Sequence, residues 1–150
     1  MSESQRDIID HIAKVQRNLL QTICNLADRS RENDASKLEE PELSGYEALQ
    51  GRLATVEYGT DEYRQALRDG RDTISHHYAH NRHHPEHWPL GINNMSLLDI
   101  LEMLADWKAA GERTKNGNLV ASIEINIKRF EIDDQLAGIL ISTARELGWI

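Results

Sequence analysis

Apolar residues recur along the N-terminal stretch at three- and four-residue steps: Ile8, Ile9, Ile12, Val15, Leu19, Leu20, Ile23 and Leu26. That spacing predicts an amphipathic helix over residues 3–29. From 30 to 44 the pattern dissolves into polar residues, with turn and cap chemistry at Asn33, Asp34 and Ser36. Pro41 disfavours helix at Glu40, so a loop with at most a short helical turn is expected. A modest helix follows over 46–56. Tyr58, Gly59, Thr60, Asp61 and Glu62 then read as a turn feeding an N-cap. The next helix is expected to continue through Gly70 to about Arg82, because Pro85 opposes helical geometry at His84. Residues 84–89 form an irregular segment, closed by Trp88, Pro89, Leu90 and Gly91.

Ser96 followed three residues later by Asp99 predicts a capped helix running through Ala110. The Asn116, Gly117 and Asn118 turn leads into two more helices, over 119–130 and about 133–147, with Gly148 ending the last. Residues 122–127 also alternate like a strand. Helix is preferred, since no second strand is evident to pair with it. The fold class is therefore all-α, a compact bundle of about five to seven helices forming a single domain over residues 1–150.

Composition narrows the function. A chain of 150 residues can bury roughly 70% of its unfolded surface without staples. Its net charge of −8, from 17 basic and 25 acidic side chains, argues against duplex nucleic acid as a partner. No apolar run approaches the roughly 20 residues needed to span a bilayer, and the N-terminus lacks a signal-peptide layout. A soluble, cytosolic protein with no membrane partner is expected. The single cysteine, Cys24, fits a reducing compartment and is expected to be a small buried hydrophobe. The apolar C-terminus, including Leu136, Ile139, Leu140, Trp149 and Ile150, suits intramolecular core first and a homodimer contact second.

The densest chemistry lies in the middle. Six of the seven histidines fall at His76, His77, His80, His83, His84 and His87. At about 100° per residue, His76, His80 and His83 share one side of a helix, while His77 and His84 share a neighbouring strip. Metal ligands converge in this way, although a solvated polar helix end can show the same spacing. Just downstream, Asp99, Glu102 and Asp106 lie within about a sixth of a helix circumference. The rest of that helix is apolar nearly all round, which predicts burial. A buried carboxylate must be paired, hydrogen-bonded or on a metal. Histidines and carboxylates together suit zinc, manganese, iron, nickel, cobalt or similar divalent ions, magnesium included. Asp99 is already explained as a cap.

The order His11, Asp34, histidine pairs on a later helix, then Asp106 resembles HD-domain metal phosphohydrolases, which are all-helical. Asn33 stands where that superfamily has the histidine of its His-Asp pair. A closer resemblance, over about residues 11–139, is to DUF5662, a family of small phage and bacterial proteins without assigned function. It is carried by Asn33, Asp34, Ala35, Ser36 and Lys37, by His76 and His77 through Asn81 to Trp88, and by Glu102 and Met103 through Asp106 to Ala110. The resemblance implies an HD-like helical fold with a divalent metal site. It carries over Asp34, Lys37, His76, His77, His83, His84, Glu102 and Asp106 as site residues, and His11 more weakly.

The leading expectation is a metal-dependent hydrolase acting on a nucleotide or small phosphate ester. Its metal ligands are sought among His11, Asp34, His76, His77, His83, His84 and Asp106. Lys37 and Arg82 are expected to hold phosphate oxygens, with Glu86 or Glu102 orienting the water or carrying a proton. The alternative is a non-catalytic, metal-stabilised module that engages a host protein or sequesters a small ligand.

Overall fold

The computed structural model describes residues 1–57, 59–113 and 117–150. Tyr58 and Asn116, two of the expected turn residues, lie outside the described residues. Among the described residues, seven α-helices and three short 3₁₀ turns account for the regular structure, with no strand. The chain divides into two compact units, Met1–Asn33 and Asp34–Ile150.

The first unit is the helix α1, Glu3–Glu32. Ser2 starts it with a capping box: its side chain accepts from Gln5 N–H, and the Gln5 side chain accepts from Ser2 N–H. The helix buries none of its residues, and Ile8, Ile9, Ile12, Leu19, Leu20 and Ile23 are all exposed. Cys24 is exposed too, against the expectation of burial. It lies beside the apolar stripe rather than on it, and a single helix has no second layer of its own.

The second unit begins with a 3₁₀ turn, Ala35–Leu38, and α2, Glu42–Leu53. A cis Glu40–Pro41 peptide leads into α2, and α2 starts four residues before the expected position. Thr60 accepts a hydrogen bond from Tyr63 N–H and caps α3, Asp61–Asp69. The single helix expected as far as Arg82 is two: α3 stops at Gly70, and α4 runs Arg71–His80. Close packing is the physical reason for glycine there. A Cβ on Gly70 would stand 3.0 Å from Leu49 Cδ1, so the junction lets buried Leu49 of α2 seat against the backbone. Asn81 then turns extended and ends α4, with its N–H bonded to His77 O.

Beyond α4, the 3₁₀ turns Pro85–His87 and Gly91–Asn94 carry the chain to α5, Leu97–Glu112. The Ser96 and Asp99 capping box is present as expected. Helices α6, Leu119–Arg129, and α7, Asp134–Glu146, complete the unit, and Gly148 leaves α7 at φ +68°. The segment with strand-like alternation lies inside α6. Ile123 is fully buried and Ile127 packs on the core while Ile125 is exposed, which is the four-residue spacing of a helix face.

Met103, Leu104 and Trp107 of α5 form one core with Leu119, Ile123, Ile132, Ala137, Leu140 and Ala144. Full burial of an aliphatic side chain of this size contributes roughly 1.5–3 kcal/mol. The core anchors α5, whose acidic residues then meet the histidines that follow α4. No helix of the described residues is long and apolar enough to cross a membrane.

Candidate metal centre

Four side chains converge within the second unit: Asp34, His77, His83 and His84 each offer one ligand atom, all within 4.8 Å of one another. They come from three different local structures. Asp34 sits in the left-handed region at φ 58°, between α1 and the first 3₁₀ turn. Asp tolerates that conformation better than most residues. His77 lies on the last turns of α4. His83 and His84 follow its end, where Asn81 has left helical geometry.

Two carboxylates, one fully and one partly buried, set the direction of two rings. His77 Nδ1 is 2.8 Å from Glu42 Oε2, and Glu42 is fully buried. Because an ionised carboxylate only accepts, Nδ1 carries the proton and Nε2 presents a lone pair. That Nε2 lies 3.1 Å from Asp34 Oδ1 and 2.9 Å from His84 Nε2. On the other flank, His83 Nδ1 is 3.3 Å from Glu102 Oε1, and its Nε2 is 3.5 Å from Asp34 Oδ1. Asp34 Oδ1 is thus buried among ring nitrogens and accepts no hydrogen bond from the described residues.

These distances match the edges of a ligand polyhedron. Bonds of about 2.0–2.1 Å to a central ion put neighbouring ligands roughly 2.9 Å apart at right angles and roughly 3.3 Å apart in a tetrahedron. The residues therefore fit a divalent ion. Electrostatics agree. Burial opposes the charge on Asp34, but Lys37, and His77 whenever its ring is protonated, outweigh it and hold the carboxyl far below its ordinary range. Burial, helped by the neighbouring His83 and His77, pushes His84 down to about 3, so its ring is neutral at pH 7 and able to ligate.

Asp106 stands outside this compact set, close enough to feel His83, Asp34, Lys37 and His77. Burial is the largest influence on it and raises its pKa. Glu102 serves His83. Lys37 reaches Asp34 Oδ2 and also lies 5.5 Å above the ring of Tyr46, which meets His77 edge-on. His76 parts company from His77 and faces Glu42 Oε1 at 2.8 Å.

Two expected site residues are turned to other partners. Arg82 reaches Asp99 with Nε at 3.3 Å and stacks over Trp88 at 4.8 Å, pinning the histidine loop to the start of α5. Glu86 pairs with Arg129 at 2.6 Å. His11 belongs to the first unit, and the four-residue set is built without it.

Glu42, Ser36 and Asn81 join this hydrogen-bond network, although the sequence reading did not place them among the site residues. Ser36 Oγ donates to Glu42 Oε2 at 2.9 Å and accepts from Asn81 Nδ2 at 2.8 Å. Asn81 also donates to His77 O. Glu42 lies in the stretch the sequence reads as a loop, beside Glu39 and Glu40, and no sequence signal sets it apart from them.

Fold and site together define an all-helical protein with a largely buried cluster of one aspartate and three histidines that could hold a divalent ion. The chain belongs to the family of unknown function DUF5662, whose model matches residues 1–146. Neither the curated proteins nor the solved structures contain a match.

Proposed function

We propose that this protein is a metal-dependent hydrolase acting on a small phosphate ester or nucleotide, with Asp34, His77, His83 and His84 as the metal-holding residues. The observation that carries the reading is the arrangement at Asp34 Oδ1: a buried carboxylate oxygen faces two imidazoles whose far nitrogens are held by Glu42 and Glu102. A purely structural polar cluster needs its buried acceptors hydrogen-bonded.

A bound divalent ion supplies Lewis acidity and brings the pKa of a coordinated water toward neutrality. Asp106 is the proton acceptor in this reading, because burial makes it more basic than an ordinary aspartate. Glu42 and Glu102 keep the rings in one tautomer and orientation. A cavity of about 290 Å³ lined by Lys37, Tyr46, Glu47, Gln50 and Arg113 shares Lys37 and Tyr46 with the surroundings of the site. Lys37 is held by Asp34 and Glu47 offsets one cation, so Arg113 is the group that favours an anionic ligand, and the size favours a small one.

The test is elemental analysis of untagged protein, followed by a screen of phosphate esters and nucleotides with manganese, cobalt, nickel, magnesium, zinc or iron. Stoichiometric metal with turnover, both lost in Asp34→Ala, supports the reading. Bound metal without turnover of any phosphorylated compound moves it to a non-catalytic, metal-stabilised module. Asn33 favours that second reading, since it replaces the histidine of the His-Asp pair in the HD-type pattern.

A further inference from the structure

We infer that the protein carries a second, more exposed transition-metal site formed by Glu42, His76 and His80. A carboxylate oxygen of Glu42 and one ring nitrogen from each histidine lie within 4.8 Å of one another. His76 and His80 are one helical turn apart at the end of α4, with rings stacked at 4.0 Å and 18°. This i, i+4 pairing puts two imidazoles on one face of a helix. His80 Nδ1 donates to His76 O at 2.8 Å, so a neutral His80 presents Nε2 as a lone pair.

Glu42 supplies the third ligand, and its position is set independently of the pair. Its Oε2 accepts from His77 and Ser36, while Oε1 accepts from His76 Nδ1 at 2.8 Å, so an ion enters there by replacing that hydrogen bond as the neutral His76 ring moves its proton to Nε2. The carboxylate is fully buried, whereas His76 is part-exposed and His80 exposed, so an ion reaches the site from solvent. Two imidazoles and one carboxylate suit zinc, nickel, cobalt or copper. With three protein ligands and an open side, this site is the weaker of the two.

The two sites meet at one residue. Glu42 orients His77 of the first through one oxygen and serves the second through the other. Occupancy of the exposed site therefore acts on the orientation and basicity of His77, which makes excess metal a modulator of the buried site.

Cobalt titration of metal-free, untagged protein, followed by calorimetry and the visible absorption of the bound ion, tests this. Wild type is expected to take up two equivalents of unequal affinity. His80→Ala is expected to weaken the second equivalent at least about tenfold and leave the tighter one intact. Asp34→Ala is expected to do the reverse. His80→Gln is the companion variant should alanine disturb α4, with far-ultraviolet circular dichroism as the check. Uptake of two equivalents by both His80 variants overturns the proposal, as does a wild type that binds no ion, or only one that Asp34→Ala abolishes. A single equivalent lost in the His80 variants but kept in Asp34→Ala overturns the reading of the buried site instead.

Discussion

Glu42 Oε2 and His77 Nδ1 stand 2.8 Å apart, joining the first turn of α2 to the last turns of α4 across 35 residues of sequence. Both side chains are fully buried. Burial opposes the charge on Glu42, yet the hydrogen bonds from His76, His77 and Ser36 hold its carboxyl below the ordinary range. The pair fixes which nitrogen of His77 is left to ligate.

Glu42→Gln tests that role. Glutamine keeps the size and one acceptor but removes the charge that favours the Nδ1–H tautomer. Metal affinity of the buried site is expected to fall roughly 10–100-fold, measured by competition with a chromophoric chelator. Unchanged affinity would reduce Glu42 to packing.

Asp106→Asn separates proton transfer from metal binding. Because Asp106 lies outside the compact ligand set, the variant is expected to keep its metal. Turnover is expected to drop by about 10²–10⁴-fold, the usual contribution of a positioned general base. Elemental analysis beside a turnover assay reads both, and loss of metal would make Asp106 a ligand instead.

Acid is expected to destabilise the metal-free protein in two stages. The folded pKa of His84 lies near 3, below its ordinary 6.5, so between those values the unfolded chain binds more protons and stability falls as pH falls. Asp34 has a lowered folded pKa as well, so its contribution is present above about 4, its ordinary pKa, and is lost below that. Midpoints of urea unfolding at pH 7, 5 and 4 should decline in that order. His84→Asn should flatten the decline between pH 7 and 4.

Gly45→Ala probes the packing that supports the site. A Cβ there would lie 2.1 Å from Thr73 Oγ1, 2.7 Å from Cγ2 and 2.9 Å from Cβ, so α2 and α4 must separate. A loss of about 1–3 kcal/mol is expected from overpacking, read from denaturant unfolding. Thr73→Gly in the same chain should recover most of it. Since α2 carries Glu42 and α4 carries His77, metal affinity should fall along with stability.

The residue pattern alone determined that the chain is all-α, where α1, α5, α6 and α7 lie, and that the histidine stretch is the place to look for a metal site. Those features are local: apolar spacing, a capping Ser96 and Asp99, and a proline at 85 act within a few residues. Only the tertiary structure decided which histidines meet. Helical phase grouped His76 with His83, but α4 ends at His80, and beyond that point a 100° step no longer describes the chain. His83 and His84 therefore turn to Asp34 and His77, while His76 turns to Glu42. Arg82 and Glu86 read as site residues by proximity in sequence, yet the fold pairs them with Asp99 and Arg129. Glu42 was indistinguishable from Glu39 and Glu40 until α2 packed on α4, because burial and hydrogen-bond direction are set by contacts between segments that the sequence holds far apart.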